Sequence, residues 1–334
     1  TDLAHQNKDG VRLVVRHHLG KLQVDKSDIE RIQKYLDYEY AWHSQGLAIF
    51  SAGDALWMTI PLPIAVDPEA HLSDKPYVGI LANLIDFYAP FGIALLDKEQ
   101  LRLFMVSWGE IQARTELTGE ELKRHKQGGW SAQNYQRHED HLAIQNLRQA
   151  IEAIQTFMEF SGIDYLLLAG SSSVIAQVKD LMPTPLKDQV VGEFSADTGA
   201  PASQILELAL DLAQRIAHQQ DSNLVTRAVT AATKGGEGAI GLQDTLYALK
   251  QGRVQTMLVE AGFTHAGHRC KNCGYVSADT LAKCPFCGSI DIAPIPDAVN
   301  RAIHQAVQTG ETVNVVRNSQ ELANAGHVGA LLRY

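Results

Sequence analysis

Residues 123–133 read Lys-Arg-His-Lys-Gln-Gly-Gly-Trp-Ser-Ala-Gln, a basic run that leads into paired glycines. From Leu122 to His138 the cations Lys123, Arg124, Lys126 and Arg137 stand without a single Asp or Glu, in a chain of net charge −9. Fixed charge of one sign attracts phosphate locally whatever the distant net charge, so a cationic tip on an acidic protein points to a specific polyanionic target. Gly128 and Gly129 permit backbone angles closed to other residues and a close approach to RNA. A backbone N–H beside a small polar side chain at such a tip can stabilise developing oxygen charge and orient water.

A second constellation is Cys270-x2-Cys273-x10-Cys284-x2-Cys287, which holds every cysteine of the chain. Each pair sits in a short turn, Cys-Lys-Asn-Cys-Gly or Cys-Pro-Phe-Cys-Gly, with glycine after the second thiol. Two matched knuckles offer four thiolates in a tetrahedron, the coordination that Zn²⁺ takes. A four-thiolate set leaves no open position for water, so the expected zinc is structural and staples a hairpin too short to fold on its own core. His265 and His268 lie nearby, but four thiols already suffice. A redox dithiol is the competing reading.

The elements that must position these residues follow from hydrophobic spacing. Asp28–His43 has helical periodicity; 47–50 and 56–60 read as short strands; Val78–Tyr88 reads as a helix closed by Pro90. Then 92–97, 101–107 and 110–115 form a three-strand meander that ends at the basic loop. Ser131 can cap a long helix to about Ser161, stopped by Gly162, and Ile163–Ala169 suits a buried parallel strand. A helix follows, ending before Pro183. Further on, helices over 202–218 and from about Ser222, a break at 235–238, a helix over 242–250 and a strand over 254–260 precede the cysteines. A helix over 297–309, a strand over 312–316 and a closing strand over 329–334 come after them. Strands alternating with helices predict a multidomain α/β protein of mixed-sheet sandwiches with a small inserted zinc ribbon. The expected divisions are 1–90, 91–196 and 197–334, with the ribbon inserted over 265–292.

At 334 residues the chain exceeds one typical core, and 45% hydrophobic and 20% charged residues suit a globular protein. No apolar run approaches the roughly 18 residues of a membrane span. The first residues lack the plan of a signal peptide and the cysteines form no disulfide framework, so the cytoplasm is the expected compartment. A protein that coats RNA generally would be basic throughout, whereas a factor that inserts one charged tip can be acidic overall. No DNA or membrane partner is expected. Gly235-Gly236-Glu237-Gly238 lacks the Lys-Ser/Thr of a phosphate loop, and no nucleotide cofactor is expected.

Several ordered blocks over roughly 90–334 resemble the archaeal and eukaryotic class-1 peptide release factor superfamily, Pelota-like rescue factors included, and more narrowly its bacterial branch. Phe91–Asp97 is similar to the opening strand of the family's middle domain, and Gln127-Gly128-Gly129-Trp130-Ser131-Ala132 stands where the family has Gly-Gly-Gln-Ser-Ala. Leu166–Ser171 resembles the strand and turn after the long helix, and Leu242–Leu249 the C-domain helix. The cysteines sit where archaeal members often carry a zinc-binding minidomain, and Gly326–Tyr334 is similar to the terminal glycine-rich strand. Residues 1–90 carry no Asn-Ile-Lys-Ser motif, so stop-codon reading is not implied.

The resemblance implies a role on the ribosome with tRNA or rRNA, in rescue, quality control or hibernation, with a translational GTPase as a candidate further partner. In the family the Gly-Gly-Gln loop helps water attack the peptidyl-tRNA ester. Here Trp130 replaces that glutamine, and an indole donates a hydrogen bond but accepts none. Gln127 and Gln133 are the candidates to take over. Three readings stay open: a peptidyl-tRNA hydrolase using Gln133 or Gln127, a non-catalytic factor whose Trp130 stacks on an exposed base, and a tight turn with Trp130 packed in a crevice.

Overall fold

The computed structural model describes residues 8–22, 24–66, 68–73, 75–77, 89–120 and 132–334, the last range for its backbone only over 132–140. The helix expected over Val78–Tyr88 lies outside the described residues. The chain divides into two compact units, 1–86 with 221–334, and 87–220.

The N-terminal segment starts with helices α1 (Lys8–Gly20) and α2 (Lys26–Lys34), the second continuing as a π-helical turn over Tyr35–Glu39. Helix α1 has no counterpart in the sequence reading. Asp25 caps α2 by accepting Ser27 N–H, and the helical periodicity expected to reach His43 ends at Glu39. Strands β1 (Gly46–Ala52) and β2 (Leu56–Leu62) form an antiparallel hairpin. Buried Asp28 accepts from Ser51 Oγ at 2.5 Å and Gly53 N at 2.9 Å, tying α2 to the hairpin turn. Leu19, Ile32, Leu36 and Leu47 form the small core, beside a cavity of about 390 Å³.

The 87–220 unit is a five-stranded mixed sheet in the order β5-β4-β3-β6-β7. Strands β3 (Phe91–Leu96), β4 (Gln100–Ser107) and β5 (Glu110–Thr118) make the expected antiparallel meander. Helix α3 (Ala132–Ser161) then leads to β6 (Leu166–Gly170), which pairs parallel to β3. Helices α4 (Ser172–Leu181) and α5 (Thr184–Asp188) precede β7 (Val190–Phe194), parallel to β6. Every residue of β3 is buried because both faces of the sheet are covered. Ala94 and Leu96 face Leu147, Ile151 and Ile154 of α3, while Ile93 and Leu95 belong to a second core with Ile205 and Ala209.

Those last two residues start α6 (Ala202–Thr233), a single helix where the sequence suggested two. The polar run 218–222 contains no Gly or Pro and so does not break it. Beyond it, β8 (Gly238–Ile240), α7 (Leu242–Lys250) and β9 (Val254–Glu260) lead into the cysteine segment. Its strands are β10 (Gly267–Cys270), β11 (Val276–Ser277) and β12 (Ile292–Ile295), in the order β11-β10-β12. Helix α8 (Ala298–Thr309), capped by Asp297, strand β13 (Thr312–Val316), helix α9 (Gln320–Asn324) and strand β14 (Val328–Leu332) complete the chain. Here the sheet order is β13-β9-β14-β8. Helices α7 and α8 cover one face, and Val225 and Ala228 of α6 with Leu322 of α9 cover the other. No helix among the described residues is long and apolar enough to cross a membrane.

Candidate metal centre and the base of the basic loop

The two cysteine knuckles are built alike. In the first, Gly274 N donates to Cys270 O at 2.9 Å and Cys270 N to Tyr275 O at 2.8 Å. In the second, Gly288 N donates to Cys284 O at 2.9 Å and Cys284 N to Ser289 O at 2.8 Å. Gly274 and Gly288 have φ of +77° and +73°, the left-handed conformation that turns the chain back after the second thiol of each pair. That is why glycine occupies both positions.

The matched turns bring the four sulfurs within 4.8 Å of one another, with Cys270 Sγ 3.6 Å from Cys287 Sγ and Cys273 Sγ 3.5 Å from Cys284 Sγ. Disulfide sulfurs would stand about 2.0 Å apart. Metal–thiolate bonds of about 2.3 Å instead set a tetrahedral edge of about 3.8 Å, so the spacing fits a four-coordinate metal. Among the described residues this is the set of ligating atoms that converges; His265 and His268 do not join it.

The clustered thiols perturb one another's ionisation. The Cys287 thiol is pulled down to about 6, chiefly by the backbone N–H of Ser289 and then by the Asn272 side chain. The Cys273 thiol is pushed up to about 12, chiefly by desolvation, with the neighbouring sulfurs adding. Four thiolates this close coexist only around a cation.

Helix α7 fixes the ribbon in place. Gln243 Nε2 donates to Tyr275 Oη at 2.9 Å, and its Oε1 accepts from Ser277 Oγ at 3.1 Å and Ala278 N at 2.9 Å. Lys250 Nζ donates to Cys273 O at 2.6 Å. Tyr247, between them on the same face, packs against Phe286 at 5.0 Å between ring centroids. Sequence reasoning missed Gln243 and Lys250; their spacing of seven residues with Tyr247 between is the available signal.

The basic run begins at Lys123, five positions after the last residue of β5, and reaches the first turn of α3. Lys123, Arg124, Lys126, Gln127, Gly128, Gly129 and Trp130 lie outside the described residues, as does the expected cap Ser131. Gln133 and Arg137 are backbone positions in the first turns of α3. The base of the loop is described, and its centre is Asn146 on α3, 6% exposed. Asn146 Oδ1 accepts from Glu120 N at 3.1 Å, and Nδ2 donates to Glu120 O at 2.9 Å and Lys98 O at 3.0 Å. A Cβ on Gly119 would meet this carboxamide at 2.6 Å. The departing strand is thus clamped to both α3 and the β3–β4 turn, and sequence reasoning missed that clamp as well.

Residues 76–214 match the family described as bacterial archaeo-eukaryotic release factor family 10. Eukaryotic peptide chain release factor subunit 1 of Schizosaccharomyces pombe is 26% identical over 216 residues, covering 62% of this chain and 50% of its own. The match therefore spans about half the length of that factor. Peptide chain release factor subunit 1 of Pyrococcus abyssi is 21% identical, covering 92% of this chain and 83% of its own. Among solved structures, an archaeal Pelota described as ribosome-bound with ABCE1 aligns over 86% of this chain and 77% of that chain, at 14% identity and a TM-score of 0.45.

Proposed function

We propose that the chain belongs to the bacterial branch of the archaeal and eukaryotic release-factor and Pelota-like superfamily and acts on the ribosome, in translation quality control or rescue. The observation that carries this reading is the family match over 76–214, which spans the five-stranded sheet, α3 and the intervening basic loop. In this reading Lys123, Arg124, Lys126 and Arg137 meet phosphates of tRNA or rRNA. Gly128 and Gly129 allow the tip to approach a peptidyl-tRNA ester. Water, oriented by Gln127 or Gln133, attacks the ester carbonyl; the bond to the ribose oxygen breaks, giving a free peptide and a tRNA hydroxyl.

Trp130 favours a second reading, a ribosome-binding factor without chemistry. An indole cannot accept a proton from water, but it stacks on an unpaired base, and flanking cations strengthen such contacts. Release of peptide from stalled ribosomes and free large subunits separates the two. Loss of release in Gln133→Ala or Gln127→Ala supports hydrolysis. Stable binding without release, weakened by Trp130→Ala, supports the second reading. No binding to either particle overturns both.

The metal in this proposal is Zn²⁺. Cys270, Cys273, Cys284 and Cys287 would hold it, and their four sulfurs leave no ligand position for substrate or water. Its contribution is to the fold of the ribbon. The division into 1–90, 91–196 and 197–334, a cytoplasmic location and delivery by a translational GTPase complete the proposal.

A further inference from the structure

Among the described residues, strand β5 is an uncovered edge. It ends the order β5-β4-β3-β6-β7 and is paired on one side only, to β4. Ile111 is half-buried, and every residue from Gln112 to Thr118 is exposed on both faces of the sheet. Among the described residues, no backbone hydrogen bond outside the β4 ladder involves Ile111–Thr118. The opposite edge, β7, is five residues long and mostly half-buried. Along this nine-residue strand alternate residues turn N–H and C=O outward, a template for another strand.

The sequence of β5 states which strand fits. It reads Glu110-Ile111-Gln112-Ala113-Arg114-Thr115-Glu116-Leu117-Thr118. Laid antiparallel on a second copy about Thr115, it sets Arg114 opposite Glu116 twice. Ala113 then faces Leu117, Gln112 faces Thr118, and Thr115 faces itself on the two-fold axis. Moving the centre by one residue sets Arg114 against Arg114, or Glu116 against Glu116. A parallel in-register pair repeats both clashes. Opposite charges directly across a ladder stabilise by about 0.2–1 kcal/mol each, and like charges destabilise. The charges therefore act against indiscriminate pairing; centring on Gln112 also sets Arg114 opposite Glu110 twice, but over the five residues 110–114 only, whereas the Thr115 register pairs the seven residues 112–118 and is favoured by its longer ladder. Glu116 contacts Arg102 of its own chain at 3.4 Å, yet its side chain is 60% exposed and open to a second guanidinium. Arg102 is held separately by the carbonyls of Thr198 and Ala200.

We propose that β5 is a self-pairing edge: two copies of this chain join antiparallel through β5, centred on Thr115, and continue one sheet into the other. The contact is isologous and closes after two copies. One ladder buries less than the roughly 1,200 Å² of a stable interface, so the dimer is weak and forms at high protein concentration. This inference does not depend on the ribosomal role.

Cysteine trapping on the full-length protein tests it. Directly opposed residues of an antiparallel pair have Cα atoms about 4.5–5.5 Å apart, inside the range a disulfide spans. In a glutathione redox buffer, Thr115→Cys is expected to form covalent dimers, with wild type as the blank for the four native thiols. Ala113→Cys alone and Leu117→Cys alone are expected to remain monomeric, and a mixture of the two to cross-link as a heterodimer. Adding Arg114→Glu to Thr115→Cys turns two attractive pairs into repulsive ones and is expected to slow trapping by about tenfold or more. The further swap Glu116→Arg should restore the rate, which also shows that the variants are folded. Equal cross-linking at all three positions, no cross-linking at Thr115, or indifference to Arg114→Glu would each overturn the proposal.

Discussion

Asn146 grips the backbone of Glu120 on both sides of its Cα, accepting from its N–H at 3.1 Å and donating to its C=O at 2.9 Å. The carboxamide thus acts as a short piece of added strand at the point where the chain leaves β5 for the basic loop. Asn146→Ala removes three hydrogen bonds to the partly exposed backbone at 98 and 120, each worth about 0.5–1.5 kcal/mol. The expected result is a lower urea midpoint for the full chain and faster proteolysis within 120–131. Asn146→Asp keeps the acceptor but loses the two donated bonds, and should fall between. Wild-type cleavage and midpoint in Asn146→Ala would show that the clamp does not hold the loop.

Gln243 makes three hydrogen bonds into the ribbon from one side chain. Gln243→Ala is expected to destabilise the C-terminal segment by about 1–3 kcal/mol, since the Tyr275 hydroxyl and Ser277 lie in buried surroundings. The four sulfurs are positioned by their own knuckles, so metal content should stay unchanged. A variant that loses metal along with stability would mean that α7, and not the knuckles, sets the sulfur geometry.

Cys284→Ser tests the metal itself. Elemental analysis is expected to give about one zinc per wild-type chain and far less in the variant, with a lower melting temperature. A bound metal would hold the thiols deprotonated well below their usual range. The stability it supplies is therefore present at neutral and higher pH and is lost as pH falls. Chelator-insensitive melting at neutral pH, or equal metal in wild type and variant, would remove the metal from the fold.

What could be read from the sequence depended on how local each constraint is. Each knuckle is a six-residue hydrogen-bonded unit, so Cys-x2-Cys-Gly announced itself. The apolar run Ile163–Ala169 likewise read as a buried strand, and Leu166–Gly170 is one because both faces of the sheet are covered. Helix α6 was read as two because its apolar residues serve two cores, Ile205 and Ala209 in one, Val225 and Ala228 in the other. The periodicity changes phase between them while the backbone continues. Asn146 gave no signal at all. Its partners lie 48 and 26 residues away, and one polar residue on an amphipathic helix looks like any other.

Tyr77 carries a prediction for the N-terminal segment. Its phenol is pushed up to about 12, by burial first and then by Asp297 and Glu69. Its ring stacks on His71 at 3.7 Å, and the neighbouring Pro76 carbonyl accepts from His304 of α8 at 2.6 Å. A raised phenol favours the folded state fully below the ordinary tyrosine range near 10, and that contribution fades as pH rises toward 12. Absorbance titration should show a late tyrosine that vanishes in Tyr77→Phe. The same variant should also flatten the loss of stability at alkaline pH. A titration curve unchanged by the substitution would mean that Tyr77 is solvated.

The tip charges decide between a ribosomal anchor and a bystander loop. Changing Lys123, Arg124 and Lys126 together to Glu replaces three cations by three anions on an already acidic protein of net −9. Phosphate contacts release counterions, so wild-type ribosome co-sedimentation should weaken steeply with salt. The triple variant should lose more than about tenfold in binding at low salt and show a shallower salt dependence. Lys and Arg side chains are rarely buried, so the melting temperature should hold. Undiminished co-sedimentation with an unchanged salt slope would place the anchor on another surface and leave the basic loop without a part in binding.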